Sequence, residues 1–386
     1  MLQDYQLLRI PGPTPIPPSV QQVMLAPMIG HRDQETKALL NRIQPKLKNI
    51  FGTLQDIAVI AGSGTAGLES AVVNTVNPGE DVLVLVTGSF GDRFARICKT
   101  YQLTVHRFDY DWGTALEPEQ IKAYLSQNPS IKAIFATYCE TSTGVLNPIR
   151  ELAQVVKQVS DALFIVDGVS CVGAVETRMD DWGIDVLVTG SQKALMLPPG
   201  LTFVAANKRA WKKIEESKQA RFFLDLRKYR DSSQQDSTPF TPALSLLYGL
   251  EQSLTLIESE GFPAVFQRHQ VMKNMTRASM RALGIPLLTN DLVASPTVTA
   301  LKPYDFQPDL LRKIVKKDFG LVLAGGQNQL KGKIFRIGHM GYCSPADVIQ
   351  VISCIEIGMY KLGKKTSLGI GTKAAQDVYL NHIEGD

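Results

Sequence analysis

Residues 162–193 read ALFIVDGVSCVGAVETRMDDWGIDVLVTGSQK. Two short apolar runs, ALFIVDGV (162–169) and IDVLVTG (184–190), each break off into polar residues. Runs this short, rich in Val and Ile and bounded by Gly, predict buried strands rather than helices. The same rhythm continues outward in both directions: IAVIAG (57–62), DVLVLVTG (81–88), LTVHRFDY (103–110), IKAIFATY (131–138) and LTFVAAN (201–207). Helix-like segments at 66–76, 91–101, 117–127 and 148–160 separate several of them. Such alternation needs crossover connections, so the expected fold is α/β, with a mostly parallel central sheet sandwiched by helices. In such sheets ligands collect beyond the carboxyl ends of the strands.

The flanks extend this picture. PGPTPIPP (11–18) holds too much proline for a helix or central strand, which predicts an extended N-terminal segment over 1–20. Leu39, Leu40, Ile43 and Leu47 within 32–51 fit an amphipathic helix. After about residue 260 the character changes to a long helical stretch (261–283). Three strand-like runs follow, PTVTALKP (296–303), GLVLAGG (320–326) and KIFRIGH (333–339), and then helical material from 345 to 361. The expected division is a large domain at 21–260 and a small α+β domain at 261–386, with a polar tail of no clear period.

Composition narrows the function classes. Apolar residues make up 44% and charged residues 20% of 386, ordinary values for a soluble globular chain. The formal charge is +4, and basic residues cluster only in pairs such as Lys212-Lys213 and Lys316-Lys317, so no nucleic-acid surface is expected. Five cysteines lie scattered without a CxxC, and five histidines without metal-ligand spacing. This points away from a metal site and toward a reducing compartment. The N-terminus lacks signal-peptide character, and no stretch reaches the roughly 20 apolar residues of a membrane span. A soluble, cytoplasmic protein without a membrane partner is expected.

Four strand ends carry unusual residues. GSGTAG (62–67) matches GxGxxG, but a dinucleotide fold needs an acidic residue at the end of the next strand, and Asp81 stands at its start. What remains is a glycine-rich turn opening a helix at Ser63, Gly64 and Thr65, whose free N–H groups favour a phosphate. In GSFGDR (88–93), Phe90 either covers a flat ligand ring or packs against the following helix. Asp167 ends a very apolar run, where an unpaired carboxylate is costly. It either caps a helix start or holds a cationic partner, such as a protonated pyridine nitrogen. Lys193 follows the next strand; alone it would read as a surface charge. Together, phosphate turn, aromatic, buried carboxylate and crevice amine are the four parts that hold pyridoxal phosphate.

Nearly end to end, the chain resembles the class V aminotransferases of fold-type I, and among them the alanine–glyoxylate and serine–glyoxylate enzymes. The resemblance is carried by PGPTPIPPSV, GHRDQE, GSGTAGLES, GSFGDR, ETSTGVLNP, VDGVSCVGA, GSQKALMLPPG and FRIGHMG. It implies that Lys193 bonds the cofactor covalently, that Asp167 pairs with its ring nitrogen and that Phe90 stacks on its ring. It further implies that Ser63, Gly64, Thr65 and Gln192 hold its phosphate, that the Thr141 hydroxyl lies near its phenolic oxygen, and that Val169 is among the cofactor-binding residues. Thr241, and more loosely Thr238, match residues that reach the partner subunit's phosphate in a homodimer. Arg336 matches the arginine that grips the substrate carboxylate. The implied reaction moves an amino group from a small amino acid, alanine or serine, to glyoxylate. Two alternatives stand beside it: a desulfurase, for which Cys343 would be the nearest nucleophile, and a non-metal partner of a soluble hydrogenase. The dispersed cysteines offer no cluster ligands for redox chemistry of the chain's own.

Overall fold

Seven apolar runs pair into one sheet in the computed structural model, which describes residues 6–364 and 367–385. They are β1 (Ile57–Gly62), β2 (Asp81–Val86), β3 (Thr104–Asp109), β4 (Ala133–Thr137), β5 (Leu163–Asp167), β6 (Val186–Gly190) and β7 (Gly200–Ala206). Their spatial order is β1-β7-β6-β5-β4-β2-β3. From β6 to β3 every pairing is parallel, while β7 runs antiparallel to both β6 and β1. The reason is connection length. Residues 191–199 are too few for a crossover helix, so the chain can only turn back on itself.

Period-2 alternation decides which side chain meets which layer. On β4, Ile134 and Ala136 join one core cluster, whereas Ala133 and Phe135 join the other. On β5 the same split separates Phe164 and Val166 from Leu163 and Ile165. One face is covered by helix α1 (Gln34–Phe51), through Leu39, Leu40, Ile43 and Leu47. The other is covered by α2 (Gly64–Thr75) and α3 (Ser89–Thr100), through Leu68, Val72, Phe94 and Ile97. Each such side chain contributes about 1.5–3 kcal/mol by leaving water.

The C-terminal part builds its own core. Helix α4 (Phe262–Ala282) and a three-stranded antiparallel sheet pack with helices α5 (Pro308–Phe319), α6 (Pro345–Lys361) and α7 (Ile370–Gly385). The sheet consists of β8 (Val298–Leu301), β9 (Ala324–Gly325) and β10 (Phe335–Gly338). Met272, Met275, Val315, Phe335 and Ile352 are among the side chains of this core. The polar tail is the last helix, anchored where Glu356 accepts the Gly371 amide at 2.7 Å.

The N-terminal arm departs from a purely extended lead-in; its residues 1–5 lie outside the described residues. Leu7–Leu8 pairs in parallel with Leu321–Val322, tying the arm to the C-terminal part. A helix then begins at Pro18 and runs to Val23. Proline is tolerated at the first helical position because its missing N–H would have no partner there. Among the described residues no helix is long and apolar enough to cross a membrane.

Candidate active site

The parallel strands deliver their carboxyl ends to one edge, and the loop after β6 carries Lys193. Ser191 fixes that loop: its amide donates to Leu201 O at 3.0 Å and its hydroxyl to Pro198 O at 2.7 Å. The N-terminal arm closes over the lysine. Thr14 donates through N to Gln192 O (3.2 Å) and through Oγ1 to Lys193 O (3.0 Å), and Lys193 Nζ donates to Pro11 O. The proline-rich segment is thus more than a spacer. Lys193 is buried. Burial pulls its amine from the usual lysine value down to about 8; the positive charges of Arg336 and Arg93 push the same way, while Cys139 and Asp167 oppose.

Close approach of the arm depends on a glycine. Gly12 adopts φ +100°, and a Cβ there would lie 2.5 Å from Lys193 Cδ and 2.6 Å from Nζ. Gly12→Ala is therefore expected to destabilise the fold by about 1–3 kcal/mol through backbone strain, and to displace the lysine amine. Thermal unfolding and the rate of cofactor capture check it together; a variant unchanged in both would refute the steric argument.

Asp167 ends β5 and is buried, with Oδ1 accepting the Val169 amide at 2.9 Å. This local turn, not a helix cap, is what the carboxylate serves in the chain. Burial raises its pKa to about 6; the negative charge of Glu140 adds to the rise, and Arg93 and Lys193 oppose it. Glu140 itself is fully buried. Its Oε2 accepts the amides of Phe90 (3.0 Å) and Gly91 (3.1 Å), and its Oε1 accepts the amide (3.1 Å) and hydroxyl of Ser142. A carboxylate thus seats the first turn of α3, as the helix dipole favours. Gly88 must be glycine, because a Cβ would stand 2.5 Å from Glu140 and from Ser142 Oγ.

At the start of α2, the amides of Gly64 and Thr65 precede the first intrahelical hydrogen bond. The Ser63 side chain makes no capping bond. Val169 lies over this turn, its Cγ2 3.0 Å from where a Gly64 Cβ would be. Gln192 Oε1 is buried without a hydrogen-bond partner and sits 3.1 Å from a Cβ built on Gly190. Gly190 in turn lies against Gly64 Cα. The helix-start N–H groups of Gly64 and Thr65 and the Ser63 and Thr65 hydroxyls gather at this turn beside the buried Gln192 amide, and this donor set fits a phosphate group.

Family comparison agrees with this reading. The model of the aminotransferase class-V family matches residues 19–344. The chain belongs to the class-V aminotransferases. A "soluble hydrogenase, small subunit" of Synechococcus sp. is 40% identical over 98% of this chain and 99% of its own length. An uncharacterized aminotransferase of Methanocaldococcus jannaschii is 41% identical over 97% and 98%. A serine–glyoxylate aminotransferase of Arabidopsis thaliana is 33% identical over 97% and 96%. Among solved structures, the ureidoglycine–glyoxylate aminotransferase of Bacillus subtilis superposes with a TM-score of 0.93 at 29% identity, covering 98% of this chain and 99% of that one. The protein is accordingly a pyridoxal-phosphate-dependent aminotransferase with the fold-type I α/β architecture.

In this aminotransferase, most of the residues singled out in the sequence meet at one crevice. Phe90 is half-buried at the start of α3, with the Arg93 guanidinium 4.7 Å from its ring centre. Thr141 Oγ1 donates to Ser170 Oγ at 2.5 Å. Arg336, buried on β10, donates Nε and Nη2 to Gly325 O (3.0 and 2.8 Å) and Nη1 to Thr141 O (2.8 Å). Burial lowers its pKa to about 10. Two residues stand apart: Thr238 Oγ1 donates to Phe240 O, and Thr241 is exposed. No hydrogen bond among the described residues joins either to the Lys193 crevice. The sequence reading missed Pro11, Arg93 and Glu140. Only Glu140 carried a signal, a carboxylate three residues past the buried strand 133–137 and followed by hydroxyl donors.

Proposed function

We propose that this aminotransferase transfers the amino group of a small amino acid, alanine or serine, to glyoxylate, yielding glycine and the donor's oxo acid. The carrying observation is Arg336. Three of its five N–H groups are committed to Gly325 and Thr141 carbonyls, which leaves one on each terminal nitrogen for a carboxylate. Names of relatives support the acceptor, since both the Arabidopsis and the Bacillus proteins are named for glyoxylate.

In this reading the cofactor, when bound, acts as an electron sink for the bond broken at the substrate Cα. Lys193 Nζ carries it covalently and, when released, takes the proton from Cα and returns it, acting as base and then acid. Its lowered pKa makes a neutral amine available near pH 8. Asp167 supplies negative charge for the ring nitrogen, and Phe90 and Val169 flank the ring. The Thr141 hydroxyl would be the contact for the ring oxygen. Ser63, Gly64, Thr65 and Gln192 bind the phosphate, with Thr241 and Thr238 reaching the corresponding group of a second subunit in a homodimer. Cys343 does not fit a desulfurase nucleophile: it is buried, and burial pushes its thiol up to about 11.

A panel of alanine, serine and aspartate against glyoxylate and pyruvate tests the proposal. Glyoxylate with alanine or serine should exceed every other pair by about tenfold in kcat/KM, a difference of about 1.4 kcal/mol; equal use of pyruvate would refute it. Covalent capture of added cofactor by the cofactor-free protein needs the neutral amine. Its rate should rise about tenfold per pH unit up to about pH 8 and then level. A flat profile from pH 6 to 9 would show that Lys193 is not the capturing amine.

A further inference from the structure

Arg93 is a half-buried cation whose acidic neighbours are all engaged elsewhere. Asp92 pairs with Arg96 and Arg107, and the Glu140 oxygens are taken by Phe90, Gly91 and Ser142. Among the described residues no carboxylate lies within ion-pair distance of Arg93. Its guanidinium stands 4.7 Å from the centre of the Phe90 ring, and Nη1 donates to Thr65 Oγ1 at 3.3 Å. The bond to Thr65 turns it toward the start of α2, and its charge favours the neutral Lys193 amine and the ionised Asp167 carboxylate. A partly desolvated guanidinium with only a ring face and a hydroxyl for company is incompletely compensated. Guanidinium groups recognise planar or tetrahedral oxyanions through paired N–H bonds.

We infer that Arg93 binds an anion in the active site, and that this anion is the phosphate of the cofactor, clasped between the guanidinium and the turn at 63–65. The inference rests on the proposed phosphate role of that turn. The choice of phosphate over a second substrate carboxylate comes from Thr65. Arg93 is bonded to the phosphate turn, whereas Arg336, the proposed carboxylate site, is seated on Gly325 and Thr141.

Equilibrium binding of pyridoxal phosphate and of pyridoxal, which lacks the phosphate, to cofactor-free protein provides the test. Arg93→Gln should weaken pyridoxal phosphate by about ten- to a hundredfold, as expected for a lost charge-assisted hydrogen bond. It should leave pyridoxal within about twofold. Inorganic phosphate should compete with pyridoxal phosphate in the wild type and correspondingly less in the variant. Arg93→Lys keeps the charge without the fork and should fall between the two; it serves as the test if the glutamine variant does not fold. Unchanged affinity, or equal losses for the two ligands, overturns the inference. So does a variant that binds pyridoxal phosphate normally but shows a raised KM for aspartate alone, which would reassign Arg93 to a donor's second carboxylate. If the wild type failed to bind pyridoxal phosphate, the cofactor roles proposed above would fall instead.

Discussion

Lys193→Ala should lower the transamination rate by about a thousandfold or more, the scale expected when the group that moves the proton is removed. It should also abolish covalent retention of the cofactor. The variant should still fold. In the cofactor-free protein the buried amine is a burden, because burial holds its pKa at about 8, below the ordinary lysine value of 10.5. For a depressed amine the sign is clear. Below about pH 8 the unfolded chain binds a proton that the folded chain accepts only at a cost, so the penalty is full there. It is relieved as pH rises from about 8 to 10.5. The wild type should therefore gain thermal stability across that window, and Lys193→Ala should lack the gain. A variant that loses activity because it unfolds, with the same pH slope as wild type, would remove the case for a catalytic lysine.

Asp167→Asn should separate stability from function in the same direction. Asparagine keeps the acceptor for the Val169 amide but removes the charge proposed to face the ring nitrogen. We expect a rate loss of about a hundredfold or more, since the electron sink depends on that nitrogen remaining protonated. The cofactor-free variant should nevertheless be more stable than wild type at neutral pH by up to about 3 kcal/mol, the cost of keeping this carboxyl ionised when burial has raised its pKa from 3.8 to about 6. A raised carboxyl penalises the folded state above about pH 6 and ceases to do so below about pH 4. The stabilisation should fade across that interval. Denaturant titrations at pH 4 and pH 7.5 measure it; equal destabilisation at both would contradict the assignment of burial as the cause.

These residues show what can be read from a chain and what cannot. Asp167 and Lys193 stand out because each follows a run whose apolar character marks a strand buried on both faces, where a charge is anomalous. The helices and the central sheet are legible for the same reason. The reversed direction of β7 is not, because a strand apolar on both faces looks alike from either end; only the shortness of 191–199 betrays it. Arg93 looks like an ordinary helix charge, and the signal at Glu140, a carboxylate close behind a buried strand, does not say what it holds. Their significance comes from partners far away in sequence: Thr65 for one, and the Phe90 and Gly91 amides for the other. Pro11 was hidden because a carbonyl carries no side-chain signature, so nothing in PGPTPIPP says that it will meet an amine near residue 193.

The reversed strand also bears on how the protein comes into being. β7 seals the sheet by pairing with β1, Gly200 opposite Gly62 and Leu201 opposite Ala61, more than a hundred residues apart along the chain. The loop holding Lys193 ends where that pairing begins, and the glycine-rich turn starts where β1 ends. Amine and glycine-rich turn therefore become neighbours only after one of the longest loop closures in the large sheet, a step that topology makes slow. During synthesis the chain can build α2 through β5 before either half of the crevice has met the other. Cofactor capture, which needs both halves of the crevice, should therefore report on completion of this pairing.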